Sequence, residues 1–176
     1  EQIVPEVIEI LKPIEAEHHR SIPVIAAGGI YTGADIYAMI NMGAAGVQMG
    51  TRFVATHECD ADDAFKQSYI HARKEDMVII KSPVGMPGRA VRNAFIDAAN
   101  EGRKIPFKCP FHCLKTCNPE KSPYCIAIAL GNAKKGKLNH GFAFAGQNAY
   151  RVDRIMSVKE LMTLLQTEYH QADISS

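Results

Sequence analysis

Two stretches of this sequence carry residues arranged for chemistry. The first is "IPVIAAGGIYTGADIYAMINMGAAGVQMGTRF", residues 22–53, where two apolar runs each end in a glycine-bearing turn. Gly28 and Gly29 follow Ala27, and Gly50 and Thr51 follow Gln48 and Met49. Backbone N–H groups at such turns can hold a phosphate when no Cβ blocks the approach, and glycine leaves that approach open. The second is "CPFHCLKTCNPEKSPYC", which spaces Cys109, Cys113 and Cys117 four apart and places Cys125 eight later. On a helix the first three sulfurs would share a face, and Cys125 could complete four thiolates for zinc or an iron–sulfur cluster. Buried small hydrophobes on an amphipathic helix, or a disulfide, fit the same spacing.

The glycine turns need strands to present them. Residues 22–27 form a continuous apolar run, the pattern of a strand buried on both faces. Thr32 can cap a helix that turns Ile36, Met39 and Ile40 inward, and Gly43 suits its C-terminal end. Residues 46–49 make a second short strand, so the unit reads as βαβ with parallel strands. Ligands of parallel α/β sheets and barrels bind beyond the C-terminal strand ends, and there the two turns would face one phosphate from two sides. Upstream, Val4, Val7, Ile8 and Leu11 share a helical face, Pro5 falls in the first turn, and Pro13 is expected to stop the pattern. Downstream, a charged helix is expected from Asp60 to about Arg73, and an extended segment at "DMVIIKS". A Gly/Pro loop, "SPVGMPGRAVRNAF", should lead into another helix. An Ala-rich helix follows the cysteines as far as about Gly131, and "SVKEL" is a capping box of Ser157 and Glu160 opening a last amphipathic helix.

The composition suits these elements. The 176 residues are 47% hydrophobic and 22% charged, enough for a real core, and the net charge of +1 gives no electrostatic case for nucleic acid or an anionic membrane. No apolar run reaches the length of a membrane span, and no signal peptide is legible at the start. Five cysteines, four of them clustered, speak for metal or redox chemistry in a reducing compartment and point to a cytoplasmic protein.

The two-turn stretch resembles the FMN phosphate-binding part of the nitronate monooxygenase family (2-nitropropane dioxygenases), whose superfamily includes the flavin-dependent enoyl-acyl-carrier-protein reductases. The opening "IVPEVIEIL" is similar to the helix before that strand, and "VGMPGRAVRNAF" to the segment after the barrel. A weaker similarity returns at "FAGQNAYRV". The resemblance implies an α/β fold: residues 1–75 as the last βα units of an FMN-binding TIM (β/α)₈ barrel, and residues 76–176 as a mostly helical C-terminal extension with the cysteine-rich segment, packed on the barrel. It implies FMN contacts at Ala27, Gly28, Gly29, Gln48, Met49, Gly50 and Thr51, with Gly146 and Gln147 in a segment that tends to approach the flavin. The implied activity is oxidation of alkyl nitronates with oxygen; the alternative is enoyl-thioester reduction with NAD(P)H.

The family's catalytic histidine belongs to a Gly-Gly-His type motif shortly before the opening helix, and this sequence contains no such motif. The resemblance therefore implies the C-terminal half of an enzyme, whose partners are a small-molecule substrate and the N-terminal half of the same barrel. His18 and His19 read as exposed loop histidines after Glu15 and Glu17. His57, His71, His140 and His170 have no flanking constellation, and His112 alone lies among cysteines. Cys59, among acidic residues, is read as incidental.

Overall fold

The computed structural model describes residues 3–103, 105, 108–109, 111–113, 115 and 117–174. The chain divides into two compact units, Glu1–Phe53 with Met156–Ser176, and Val54–Ile155. These units are drawn by compactness and do not follow the division at residue 75: the last helix clusters with the βαβ residues, and the second unit begins at Val54.

The first unit opens with helix α1, Ile3–His18. It runs through Pro13 instead of stopping there. Proline removes one N–H, and the carbonyl it leaves at Glu9 belongs to an exposed residue, where water can satisfy it. The stop comes at His19, whose φ of 47° is left-handed, and Arg20 N–H donates to Glu15 O at 3.1 Å to close the turn. Strand β1 (Ile25–Ala27) pairs in parallel with β2 (Gly46–Gln48), in the register Ile25↔Gly46, Ala26↔Val47 and Ala27↔Gln48. The strands are shorter than expected, and only Ala26 of β1 is buried; Ile25 is 53% exposed. A strand reads as doubly buried when both its faces and its neighbours are supplied, and among the described residues β1 has a single neighbour.

Helix α2 (Gly33–Asn41) joins the strands and matches its sequence signals at both ends. Thr32 Oγ1 accepts from Asp35 N–H, while Asp35 Oδ2 accepts from Thr32 N–H at 2.8 Å, a reciprocal capping box. At the other end Gly43 (φ 98°) donates to Ile40 O, and Ala44 to Met39 O, the paired bonds of a Schellman turn. Val4, Ala26 and Ala44 form a small core with Ile8, Met39 and Val47 around them. A four-residue helix α3 (Thr51–Val54) follows β2.

The last helix, α7 (Val158–Ile174), starts at the expected capping box, with Glu160 N–H donating to Ser157 Oγ at 3.1 Å and Ser157 N–H to Glu160 Oε2 at 2.7 Å. It packs against the start of α2. Gly33 N–H donates to Glu168 Oε2 at 2.7 Å, and a Cβ at Gly33 would stand 2.1 Å from Leu165 O. Met156, Leu161 and Leu165 bury their side chains against Ile36, Met49 and Phe53.

The second unit holds helices α4 (Asp63–Ile70), α5 (Ala94–Asn100) and α6 (Ile126–Lys134) around an antiparallel hairpin, β3 (Met77–Lys81) and β4 (Pro87–Val91). Strand β4 replaces the loop expected there. Gly88 belongs in it because the Phe144 ring passes where a Cβ would be, 2.4 Å away. Residues 143–145 return along β4, with Val91 N–H donating to Ala143 O and Ala145 N–H to Arg89 O. Beneath lies an aromatic core: Phe95, Tyr124 and Phe142 meet at centroid distances of 5.1–6.0 Å. Asn93 caps α5 through Oδ1 and holds Gly141 O with Nδ2 at 2.8 Å.

The chain is thus an α/β fragment whose parallel strands do not close a barrel, and its C-terminal extension contains a hairpin as well as helices. No helix among the described residues is long and apolar enough to cross a membrane.

Candidate functional site

Parallel pairing with Ala27 opposite Gln48 sends both strands into their next turns at the same end of the sheet. Gly28, Gly29 and Met49, Gly50 therefore leave from one edge, as their positions in sequence predict. Gly28 and Gly29 have φ of 88° and 76°, the left-handed region that glycine enters without strain. Apart from its chain neighbours, no atom of the described residues lies within 4 Å of a Cβ built on Gly28, Gly29 or Gly50. Ala27, Gly28, Gly29, Gln48 and Gly50 are exposed, and Met49 and Thr51 half-buried. All seven residues expected at a phosphate-bearing cofactor thus belong to one strand edge and its two turns.

The helix after the first turn is not where an anion would be held. The amides of Gly33, Asp35 and Ile36 are taken by Glu168 Oε2, Thr32 Oγ1 and Thr32 O, and those of Tyr31 and Thr32 by Asp35 Oδ2. Any anion at this edge must therefore rely on the glycine turns rather than on the α2 terminus.

One residue here was not anticipated. Arg52, on α3, is 8% exposed, yet it carries a charge. Its Nη1 donates to Tyr31 O at 3.1 Å, and its guanidinium carbon stands 4.4 Å over the Tyr31 ring. It links the turn after β2 to the turn after β1. The signal in the sequence was an arginine directly after a glycine turn and followed by the apolar run Phe53, Val54, Ala55.

Two apolar hollows flank the strand pair. One, of about 610 Å³, is lined by Ile36, Val47, Met49, Phe53, Leu165 and Tyr169. The other, of about 450 Å³, runs along α1 and β1 past Ile3, Val7, Val24, Ile25 and Gly28.

The cysteine segment departs from its expected form. Its described residues between 108 and 125 contain no helix, and His112 has a left-handed φ of 45°. Pro110, Leu114 and Thr116 lie outside the described residues. Without a helix, the four-residue spacing no longer stacks Cys109, Cys113 and Cys117 on a face. All four cysteines are free thiols; Cys113 is exposed and the others half-buried. Among the described residues no group of three or more His, Cys, Asp or Glu is placed to hold a metal ion, so the zinc or iron–sulfur expectation gains no ligand set. Gly146 and Gln147 follow the return strand along β4 in the second unit, with Gln147 exposed. His18 and His19 are exposed, as expected, but they end a helix rather than occupy a loop.

The chain is similar to known proteins in sequence and in fold. Residues 1–168 match the family model described as nitronate monooxygenase. Over 99 residues the chain is 35% identical to a probable nitronate monooxygenase of Staphylococcus aureus (strain Newman), a match covering 56% of this chain and 25% of the relative. FabK from Thermotoga maritima superposes with a TM-score of 0.71 and 31% identity, over 88% of this chain and 46% of that one. Nitroalkane oxidase from Streptomyces ansochromogenes superposes with a TM-score of 0.66 and 26% identity, over 91% of this chain and 43% of that one. The matched region is a quarter of the curated relative and less than half of either solved chain.

Proposed function

The chain belongs to the nitronate monooxygenase family, a family of FMN-dependent oxidoreductases, and from that premise we propose that it anchors FMN in an enzyme that oxidises alkyl nitronates with oxygen. The observation that carries this reading is the pair of unobstructed glycine turns leaving one end of two parallel strands. The cradle fits a phosphate: three glycines leave open the space a Cβ would fill, and two of them hold the left-handed φ that glycine enters without strain.

In this reading the amides of Gly28 and Gly29 hold the phosphate from one side. Those of Gly50 and Thr51, with the Thr51 hydroxyl, hold it from the other. Ala27, Gln48 and Met49 line the cofactor where it leaves the anchor, and Gln48 offers an exposed amide that can both donate and accept. FMN, when bound, supplies the electron transfer between substrate and oxygen that no side chain can perform. The chain's part is to fix the cofactor's position and to keep the phosphate end dehydrated by its own hydrogen bonds. No group of this chain is assigned the substrate proton; that base belongs with the N-terminal half of the barrel, whose strands would cover the apolar hollows beside β1 and β2.

Enoyl-thioester reduction with NAD(P)H uses the same anchor and is the second reading, because the superfamily that the two-turn stretch resembles includes the flavin-dependent enoyl reductases. Stoichiometric FMN in the purified full-length protein, followed by nitronate and NADH turnover, tests both. Nitrite release from an alkyl nitronate is the expected result. NADH-dependent enoyl reduction without nitrite would replace the first reading with the second, and protein that takes up no flavin would refute both.

A further inference from the structure

We infer that Arg52 is a positioning residue for the phosphate, setting the gap between the two glycine turns and lending the site its positive charge; this rests on the FMN-anchoring reading above. Arg52 is more than nine-tenths buried. A buried charge costs several kcal/mol unless its surroundings compensate. Lys12–Glu9, Arg92–Asp97, Arg103–Glu101 and Lys134–Asp60 pair on exposed side chains, whereas the contacts of Arg52 among the described residues are with Tyr31. Its compensation comes from one carbonyl dipole and one aromatic face, both of Tyr31. Neither cancels a unit charge, so an anion at the adjacent turns gains from it.

The geometry also explains why the charge is placed there. Arg52 follows Thr51 directly, and Tyr31 lies two residues beyond Gly29. Tyr31 is itself buried, with its amide on Asp35 Oδ2 at 2.9 Å. The Asp35 carboxylate is in turn locked into the cap of α2. Arg52 thus fastens the second turn to a rigid point of the first, so the amides need not reorganise on binding. Lysine cannot reproduce this, because an ammonium lacks the planar fork that both donates to the carbonyl and stacks on the ring.

The test compares FMN with riboflavin, which differ only in the phosphate. Full-length wild type, Arg52→Met and Arg52→Lys are titrated with each flavin by fluorescence quenching, and the melting temperature of each apoprotein is measured. The expected result is a loss of about tenfold or more in FMN affinity for Arg52→Met, with riboflavin affinity unchanged. Arg52→Lys should recover part of the FMN preference. Equal weakening of both flavins, tracking a lower melting temperature, would overturn the inference and leave Arg52 a purely structural tie. Should Arg52→Met not fold, Arg52→Lys decides alone: an FMN-to-riboflavin preference equal to wild type would overturn the positioning role, and a reduced one would support it. A wild type that binds riboflavin as tightly as FMN would refute the phosphate site itself, and the role of Arg52 with it.

Discussion

Gly50 offers a cleaner probe of the site than Gly28 or Gly29. Its φ lies outside the left-handed region, and a Cβ built there meets no atom of the described residues within 4 Å beyond its chain neighbours, so the backbone accepts a side chain. Gly50→Val should therefore keep the wild-type melting temperature while retaining much less flavin, because the side chain would fill the space a phosphate needs. The flavin-to-protein absorbance ratio measures this, and full occupancy in the variant would contradict the site. Tyr69, in the second unit, is a structural counterpart. It is 1% exposed and donates its hydroxyl to Phe144 O. Burial, with Cys59 nearby adding to it, pushes the phenol well above its ordinary value of 10.0. A raised pKa means that the folded state keeps the proton while the unfolded chain loses it. The contribution is whole below pH 10 and is lost as pH rises from there through the folded-state value. Tyr69→Phe should cost about 1–3 kcal/mol at neutral pH by stranding the Phe144 carbonyl, and should show a shallower loss of stability above pH 10. Denaturant titrations at pH 7 and above pH 10 read both effects, and an unchanged alkaline slope would count against the assignment.

At the scale of elements, helix ends make the sharpest claims. His19 adopts a left-handed φ of 47° to terminate α1, a conformation that costs a non-glycine residue about 1 kcal/mol. His19→Gly should raise stability by about 0.5–1 kcal/mol in chemical denaturation. A loss would mean that the imidazole makes a contact the geometry does not reveal. Gly33→Ala should do the opposite, since its Cβ would collide with the α7 backbone at Leu165 O (2.1 Å) and Tyr169 N (2.4 Å). A penalty of about 3 kcal/mol is expected, because neither atom can swing aside as a side chain would. These cases also mark what sequence could reveal. The Thr32 cap, the box at Ser157/Glu160 and the Gly43 turn were legible because capping is local chemistry within four residues. Strand β4 was not: Pro87 and Gly88 look like a loop until Phe144, far away in sequence, is seen crossing over the glycine. The cysteine helix failed for the converse reason, since a face inferred from spacing exists only if the segment is helical. That the two glycine turns leave the same end of the strand pair was legible because βαβ topology fixes which ends of two strands coincide. Arg52 was missed because burial of a charge depends on Tyr31, a contact between turns that no local pattern encodes.

For the whole molecule, the apolar surface is the feature that matters. Ile3 (72%), Val7 (37%), Ile10 (66%) and Ile14 (40%) form an exposed stripe along α1, beside the Val4 and Ile8 face that packs on the sheet, and Ile25 is exposed at β1. A parallel sheet is ordinarily covered on both faces, so these residues are expected to be buried by further strands and helices of a barrel. The 176 residues alone should self-associate or melt without a cooperative transition. A monomer with a sharp melting transition, seen by ultracentrifugation and calorimetry, would contradict this. The central claim is that one phosphate lies between the two glycine turns, and a crystal structure of the full-length protein with FMN tests it most directly. The phosphate is expected within hydrogen-bonding distance of amides from both Gly28–Gly29 and Gly50–Thr51, about 3 Å from nitrogen to oxygen. FMN bound with its phosphate elsewhere, or touching only one of the turns, would contradict it.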